Sequence, residues 1–387
     1  MRRITTDERR AGLVARHHLK RTGRSVEQVA RDLVGLHSSD PATPYLSLWA
    51  RVPGLSVADV ADAFYEQRSV LRLYGMSRTL FVVPHDVAED MDAACTRKTA
   101  AEQRRRIIGY MERGGWEGDA SAWLDEIGQA VVRTLDESPE PMTGRQLGEA
   151  IPELRRKLTI GPGEVGMTTR VLFLLSVDGR ITRGRPLGSW ISSQYAWSPM
   201  ERWSGSAIPP KERPEAIASL VARWLGSYGP GTLEEVVWWS GLGKREITAA
   251  LRHLEAAEVD LDGDVGYMIG DEPSPQPLTT HQVSLLPSLD PTIMGWKRRD
   301  WYLGPHAPEL FDRNGNAGPT IWVDGRVVGG WIQRRDGTVA FHLLEAVDSE
   351  AEAMIEAETK SAEEWFDGIV ATPRLANLDP VPRPPDG

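Results

Sequence analysis

The 387-residue chain is long enough for two to four domains, if a domain averages about 150 residues. Its hydrophobic fraction of 41% and charged fraction of 26% are typical of a globular protein. No apolar run approaches the ~20 residues that a membrane helix needs, and the N-terminus lacks an apolar signal core. The single cysteine, Cys95, excludes an internal disulfide framework and a cysteine-based zinc site. We therefore expect a cytoplasmic protein.

The formal net charge of -10 argues only weakly against a nucleic-acid partner, because local clusters of cations decide phosphate contact. Such clusters occur at residues 104–106, 155–157, 297–299 and 334–335, while acidic residues collect between Glu345 and Glu364. Any single cluster is more often a solvated face. The separation of charge fits a protein that meets an anionic partner on one side.

The N-terminal region is predicted to be mainly helical. Apolar spacing between Thr6 and Gly35 predicts two helices separated at Gly23, with Ser25 as N-cap of the second and Gln28 as its capping-box partner. A helix is expected from Ser56 to about Gln67, and residues 71–83 form one or two strands. Helical patterns follow over residues 86–114 and 121–135.

A unit of three helices and a hairpin then appears twice. In the first copy, Thr143 caps a short helix, a further helix ends near Gly179, and a basic strand over residues 180–185 begins the hairpin. In the second copy, Thr232 caps the short helix and the hairpin turns at residues 262–264. This order of elements is typical of a winged helix, which binds DNA, binds protein or serves as a packing unit.

The C-terminal region is rich in short strands with Asp-Gly turns at residues 324–325 and 336–337. A helix is predicted from about Ser349 to Phe366, and the Pro-rich tail from Thr372 is expected to be disordered. The fold class is therefore α+β, with three tandem winged-helix modules followed by a small β-rich domain. The predicted segments are 1–120, 121–205, 206–275, 276–372 and a tail at 373–387.

Several segments, in the same order, resemble the AlkZ-like (YcaQ-related) winged-helix DNA glycosylases. They are "ARDLVGLHSSDP", "MSRTLFVVP", "DGRITRGRPLGSWISSQYAW", "LGSYGPGTLEEVVWWSGL", "LLPSLDPTIMGWKRRDWYL" and "VDGRVVGGW". The resemblance implies three winged-helix modules and a β-domain that hold duplex DNA on a concave positive surface. It also implies excision of alkylated purines, especially N7-modified guanines and bulky natural-product adducts, with no metal or cofactor.

The resemblance locates the active site at His37-Ser38-Ser39, where known members carry Gln-apolar-Gln or Gln-apolar-Asp. His37 takes the first glutamine position and Ser39 the second, so neither residue type is kept. A neutral imidazole at His37 can accept a proton from water. Asp40 can stabilise a cationic sugar or hold the imidazole tautomer, and Ser39 can bind water or phosphate. These groups converge only if the preceding helix ends near Leu36, as Pro41 favours. A polar helix stop is the alternative reading.

Cations flank the first predicted hairpin and the "LLPSLDP" segment. The residues that we expect to contact DNA are Arg78, Arg170, Arg180, Arg183, Arg185, Lys297, Arg298 and Arg299. The sequence is equally consistent with Arg78 as a phosphate contact and with Arg78 as one partner of a buried ion pair. The tandem Trp238-Trp239 is expected to be mostly core, and no histidine has the spacing of a metal ligand.

Three hypotheses follow from the sequence. The first is a monomeric DNA glycosylase that removes an N7-alkylguanine in base excision repair or antibiotic self-resistance, without a protein partner. The second is a catalytically silent relative that binds DNA or recognises lesions. The third is a winged-helix protein-interaction module, which the net charge of -10 favours.

Overall fold

The computed structural model describes residues 1–160, 163–270 and 278–371. It has mixed α and β structure, with 49% helix and 19% strand, which confirms the α+β class. The number of winged-helix modules stays a prediction, and the predicted tail from Thr372 lies outside the described residues. Among the described residues, no helix is both long enough and apolar enough to cross a membrane.

The helices occupy nearly all of the segments in which the sequence predicts them. They are α1 (Thr6–Arg16), α2 (Val26–Asp32), α3 (Ala42–Trp49), α4 (Val57–Ala61), α5 (His85–Met91), α6 (Arg97–Arg113), α7 (Ala120–Glu137), α8 (Gly144–Ala150), α9 (Met167–Val177), α10 (Met200–Ser204), α11 (Arg213–Tyr228), α12 (Leu233–Ser240), α13 (Lys244–His253), α14 (Pro291–Met294), α15 (Asp300–Leu303), α16 (Ala307–Leu310) and α17 (Ser349–Phe366). Single π-helical segments follow α4 and α5, at Asp62–Glu66 and Asp92–Thr96.

The strands are short, and most belong to hairpins. They are β1 (Arg2–Arg3), β2 (Leu36–His37), β3 (Val70–Tyr74), β4 (Leu80–Pro84), β5 (Met142–Thr143), β6 (Lys157–Ile160), β7 (Gly163–Gly166), β8 (Ile181–Pro186), β9 (Tyr195–Pro199), β10 (Gly231–Thr232), β11 (Ala257–Leu261), β12 (Asp264–Met268), β13 (Val283–Leu286), β14 (Thr320–Val323), β15 (Arg326–Gln333) and β16 (Val339–Leu343). The pair β6–β7 lies where no strand is predicted from the sequence.

Reciprocal capping boxes fix the starts of three helices that the sequence identified. The Ser25 hydroxyl accepts from the backbone N–H of Gln28 at 3.2 Å, and the Gln28 side chain accepts from the Ser25 N–H at 3.0 Å. Thr143 caps α8 and Thr232 caps α12 in the same way. Each box satisfies two backbone donors that a helix start leaves open, so these predicted boundaries are confirmed.

The chain divides into two compact units. Unit 1 comprises residues 1–60 and 217–387, and unit 2 comprises residues 61–216. The five consecutive segments predicted from the sequence cut the chain at other places and stay a prediction. The division follows from long-range pairing, since β1 joins β11 in parallel with Arg2 opposite Val259.

Unit 1 contains two four-stranded sheets, with strand orders β1-β11-β12-β10 and β13-β14-β15-β16. Two of their hairpins turn through left-handed Asp-Gly pairs, at Asp262 (φ 54°) and Gly263 (φ 95°) and at Asp324 (φ 53°) and Gly325 (φ 77°). Positive φ at both positions matches the twist of an antiparallel pair, which is why Asp-Gly marks such turns in sequence. The order helix, helix, helix, hairpin is present in α11, α12, α13 and β11–β12.

Unit 2 repeats that order in α7, α8, α9 and β8–β9, with β5 added on the free side of β9. Its core is formed by apolar faces of α6 to α9, including Met111, Val131, Leu147 and Leu175. Separately, β3 and β4 pair as an antiparallel hairpin, with Val70 opposite Pro84. The repeated element order predicted from the sequence is therefore confirmed in both places.

A buried ion pair ties α3 to the segment before α14 in unit 1. Arg51 and Asp290 are both fully buried, and the two guanidinium Nη atoms donate to the two carboxylate oxygens at 2.9 and 2.7 Å. The Ser47 hydroxyl donates to Asp290 at 2.6 Å, and Arg51 donates to the carbonyl of His17 at 2.9 Å. A bidentate pair with these additional partners fixes the orientation of both segments.

The same network contains a neutral histidine. His17 Nδ1 lies 3.0 Å from the Thr292 hydroxyl, and Nε2 lies 3.2 Å from the carbonyl of Ser227. Burial, with Arg51 nearby, lowers the pKa of His17 well below its usual range. The neighbouring His18 is also buried.

Substitution of Asp290 by Asn should lower the free energy of unfolding by about 3–5 kcal/mol, because it leaves the Arg51 charge buried without its counter-charge. Urea unfolding followed by tryptophan fluorescence measures the loss. Glu149→Gln is the matched control, since it neutralises one partner of an exposed pair with Arg145, worth at most about 0.5 kcal/mol. Equal unfolding curves for Asp290→Asn and the control would contradict the structural role of the pair.

Candidate active site

The helix that precedes the His-Ser-Ser-Asp motif is terminated by two residues with a left-handed backbone conformation. Helix α2 ends at Asp32, and Val34 (φ 54°) and Gly35 (φ 108°) follow. The N–H of Gly35 donates to the carbonyl of Ala30 at 2.8 Å, which closes the helix end. Helix α2 therefore ends before the motif, as convergence requires, but four residues earlier than the expected end near Leu36. The left-handed pair, rather than Pro41, terminates the helix.

Val34 is an unusual residue for that conformation. A β-branched side chain with positive φ is sterically unfavourable, and such strain collects at functional sites. The Val34 side chain is buried, so packing holds the backbone in place. As a result, the chain leaves the helix and places His37 on the short strand β2.

His37 and Ser39 meet within a local turn. The backbone N–H of Ser39 points to Nδ1 of His37 at 3.4 Å. Ser39 is exposed, His37 is half-buried, and Ser38 between them is buried. The structure therefore brings the first and third motif residues together, with the side chain of the middle residue directed away from solvent.

Asp40 has a different role in the local structure. Its Oδ1 accepts from the backbone N–H of Ala42 at 2.9 Å, at the start of α3. Asp40 therefore orients the beginning of α3, and its described hydrogen bond does not go to the imidazole of His37. Asp40 is half-buried, and it follows His37 by three positions in the sequence.

The imidazole of His37 is neutral at physiological pH. Burial lowers its pKa to about 4, and the negative charge of Asp290 only partly opposes that shift. Since Nδ1 accepts from Ser39, the ring proton is assigned to Nε2. A histidine with this pKa is a weak base; its Nδ1 is the acceptor of the Ser39 N–H, and its Nε2–H is a donor, as an amide N–H is.

The motif is connected to the segment that carries Asp290 of the buried ion pair. Helix α3, which starts at Ala42, is bound to the "LLPSLDP" segment through Thr43, whose hydroxyl donates to the carbonyl of Ser288 at 3.0 Å. Asp290, in the same segment, is the anion that influences the pKa of His37. Sequence reasoning missed Asp290 and Arg51, although Asp290 stands in a segment that carries the family resemblance. A buried ion pair has no local sequence signal.

The three predicted cations of unit 1 already have partners. Lys297 lies 3.2 Å from Glu234, and Arg298 pairs with both Glu234 and Asp264. The Arg299 guanidinium lies over Phe311 at 4.5 Å and over Trp238 at 5.3 Å. Trp238 is 37% exposed, so the expectation that it belongs to the core is wrong.

Two of the predicted arginines of unit 2, Arg183 and Arg185, lie over aromatic rings. Arg183 donates to the Tyr74 hydroxyl at 3.1 Å and lies over the Tyr195 ring at 4.3 Å. Arg185 pairs with Glu66 at 2.8 Å. Cation–π contact holds a guanidinium while leaving its edge available to an anion.

The other three arginines of unit 2 differ in exposure. Arg78 is exposed at the turn of β3–β4, where Ser77 (φ 51°) and Arg78 (φ 62°) are both left-handed. Arg170 and Arg180 are half-buried, and Arg180 packs near Gly128 of α7. Of the three, Arg78 is the most accessible to an external partner.

Within the part of the chain that the structure describes, no group of three or more acidic, His or Cys side chains could hold a metal ion.

The comparisons with known proteins define the class of protein. The model of the AlkZ-like DNA glycosylases matches residues 30–365, which include the His37 motif and the buried ion pair. The chain therefore belongs to the AlkZ-like DNA glycosylase family.

A solved structure shares the fold. The DNA glycosylase AlkZ of Streptomyces sahachiroi superposes with a TM-score of 0.73, over 96% of this chain and 98% of that chain, at 19% sequence identity. No curated protein matches the sequence significantly.

Nuclear magnetic resonance of histidine-labelled protein should show His37 still neutral at pH 6, because the folded-state pKa is about 4. His37→Gln identifies the resonance. The unfolded chain takes up this proton near pH 6.5, so the contribution of His37 to stability should fall as pH drops from about 6.5 to about 4. Titration of His37 near pH 6.5 in the folded protein would contradict the assigned environment.

Proposed function

We propose that this DNA glycosylase excises N7-alkylated guanine from duplex DNA, with His37, Ser39 and Asp40 at the reacting sugar. The observation that carries the proposal is the neutral His37, held beside Ser39 on a strained backbone and backed by the buried Arg51–Asp290 pair. That site occupies the position at which the family resemblance locates the catalytic motif. The biological roles would be base excision repair and self-resistance to bulky natural-product adducts.

The reaction does not require the protein to supply a strong base. Alkylation at N7 makes guanine cationic, so the C1′–N9 bond breaks with its electron pair moving to N9 and neutralising the base. The sugar becomes an oxocarbenium ion, water adds to C1′, and the added water then releases a proton to bulk solvent. A neutral imidazole can position that water, as an amide would, and the Asp40 carboxylate can stabilise the cationic sugar.

Ser39 has the accessibility that a water or phosphate ligand requires. Its hydroxyl belongs to an exposed residue, whereas Ser38 is buried. Because Ser39 also contacts His37 through its backbone, a water bound to the hydroxyl would lie close to the imidazole. In this proposal Ser39 and His37 share the water, and no metal or cofactor takes part.

DNA would be held by the modules with the order helix, helix, helix, hairpin, which we interpret as winged helices. Arg183 and Arg185 of β8 and the exposed Arg78 are the leading candidates for phosphate contact in unit 2, with Arg170 and Arg180 behind them. In unit 1 the candidates are Lys297, Arg298 and Arg299. Binding would require Lys297 and Arg298 to exchange carboxylate partners for phosphate, so their net contribution is smaller. The protein would act as a cytoplasmic monomer.

A second candidate function rests on the same motif. Both glutamines of the known members are replaced, and a histidine with a pKa of about 4 is a poor general base. These features favour a relative that binds DNA or recognises lesions without releasing the base. The two functions differ in one observable, which is base release.

The test is single-turnover release of the base from duplex DNA that contains 7-methylguanine. Wild type should release the base, and His37→Ala should be slower by about 10²–10⁴, the usual contribution of a residue that assists proton transfer or water positioning. DNA affinity should change little, because His37 is not a proposed phosphate contact. Intact DNA with wild type across several alkyl lesions would leave the silent relative as the function.

A further inference from the structure

Unit 2 carries a group of arginine and aromatic side chains that lies outside the hairpin β8–β9. It is formed by the second half of α6, the residues that follow α6, the residue before β6 and the first turn of α9. The members are Arg106, Tyr110, Arg113, Trp116, Arg156 and Arg170. These six residues are called the α6–α9 surface below.

Tyr110 is the centre of one half of the α6–α9 surface. Arg106 donates from Nε to the Tyr110 hydroxyl at 2.8 Å, and the Arg113 guanidinium lies over the Tyr110 ring at 5.2 Å. The hydrogen bond from Arg106 lowers the pKa of Tyr110, and the positive charges of Arg113 and Arg170 act in the same direction. Three cations therefore lie around one phenol ring.

Trp116 supports the other half of the surface. The Arg156 guanidinium lies over the Trp116 ring at 3.8 Å, and Trp116 meets Trp123 of α7 edge-on, with ring centroids 4.6 Å apart. Both tryptophans pack against the core of unit 2, so the stack has a fixed base. A guanidinium held over a ring keeps its N–H edge available to an anion, and it loses little further side-chain freedom on binding.

Carboxylates do not neutralise the guanidinium groups of this surface. Within the described part of the chain, none of its four arginines forms an ion pair, and the Nε of Arg170 is buried without a hydrogen-bond partner. The neighbouring Glu164 is paired with Lys157 at 2.8 Å. The exposed carboxylates that lie nearest along the chain, and that form no ion pair with these arginines, are Glu102, Glu112 and Glu117.

The start of α9 joins the α6–α9 surface to the unit of three helices and a hairpin. The carbonyl of Arg156 accepts from the N–H of Met167, the first residue of α9, at 2.9 Å, and Arg170 lies in the first turn of that helix. Helix α9 is the third helix of the unit. In DNA-binding modules of the helix-turn-helix type, the recognition helix presents its N-terminal residues to the DNA. The surface therefore lies at the end of α9 that would face DNA.

We propose that the α6–α9 surface binds the phosphate backbone of duplex DNA, as a contact additional to the hairpin β8–β9. The planar fork of arginine matches phosphate oxygens. Because these arginines are unpaired, they can meet phosphates without first giving up a carboxylate, unlike Lys297 and Arg298. The choice of DNA as partner rests on the proposed function. An acidic protein surface, which would offer carboxylates instead of phosphates, is an outcome of the test.

Neutralisation of two stacked arginines tests the proposal. Arg113→Gln combined with Arg156→Gln should weaken binding to undamaged duplex DNA by about 10–100-fold at low salt, and equally for unrelated sequences, since phosphate contacts carry no sequence information. The slope of log affinity against log salt should fall in magnitude by about 2, because each phosphate contact contributes about 0.9. Fluorescence anisotropy at several salt concentrations measures both quantities on the full chain.

The matched control is Arg133→Gln combined with Arg335→Gln, two exposed arginines outside the α6–α9 surface. It removes the same charge, so a general effect of net charge would appear in both double variants. The control should keep the wild-type salt slope. An equal loss of slope in the control would overturn the proposal. So would a wild-type slope in Arg113→Gln with Arg156→Gln, which would leave an acidic protein as the partner of this surface.

Urea unfolding shows whether the variants keep the wild-type fold. Arg113→Lys with Arg156→Lys retains both charges but loses the planar forks, so it should restore the salt slope while leaving the affinity below wild type. If the double Gln variant does not fold, Arg113→Gln alone, at an exposed position, should still lower the slope by about 0.9. A wild-type slope in that single variant would also overturn the proposal.

Base release from DNA that contains 7-methylguanine is measured with wild type in parallel. A reduced salt slope in the double Gln variant, with no base release by wild type, would keep the α6–α9 surface and contradict the glycosylase mechanism. Base release by wild type, with an unchanged slope in the variant, would reject this surface alone.

Discussion

The Arg51–Asp290 ion pair is the constraint on which the candidate site depends. Two fully buried opposite charges are stable only when their remaining hydrogen bonds are satisfied. Here Ser47, Thr292 and the carbonyl of His17 supply those bonds. The pair therefore joins α1, α3 and the segment before α14, and it leaves little freedom for the motif that lies between α2 and α3.

That constraint also sets the chemistry of His37. Burial of the imidazole lowers its pKa more than the negative charge of Asp290 raises it. The result is a neutral ring whose Nδ1 accepts from Ser39 and whose Nε2–H is a donor. Because a cationic alkylguanine is a good leaving group, such a ring can replace an amide without acting as a strong base. Under the proposed function, histidine at the position where known members carry glutamine is then compatible with base release.

The sequence predicts helices and turns well where a local signal defines them. Capping boxes at Ser25, Thr143 and Thr232 and the Asp-Gly turns are properties of a few adjacent residues, and the structure confirms them. The early end of α2 was not predictable, since it requires Val34 to adopt a left-handed conformation against its own preference.

The central claim is that a neutral His37 acts in place of an amide. The most direct measurement is the single-turnover rate of base release by His37→Gln, compared with wild type between pH 6 and pH 8. The account predicts rates within about tenfold of each other and no inflection near pH 6.5 in either profile, because His37 does not titrate in that range. A wild-type inflection near pH 6.5 that disappears in His37→Gln, with a large loss of rate, would contradict it.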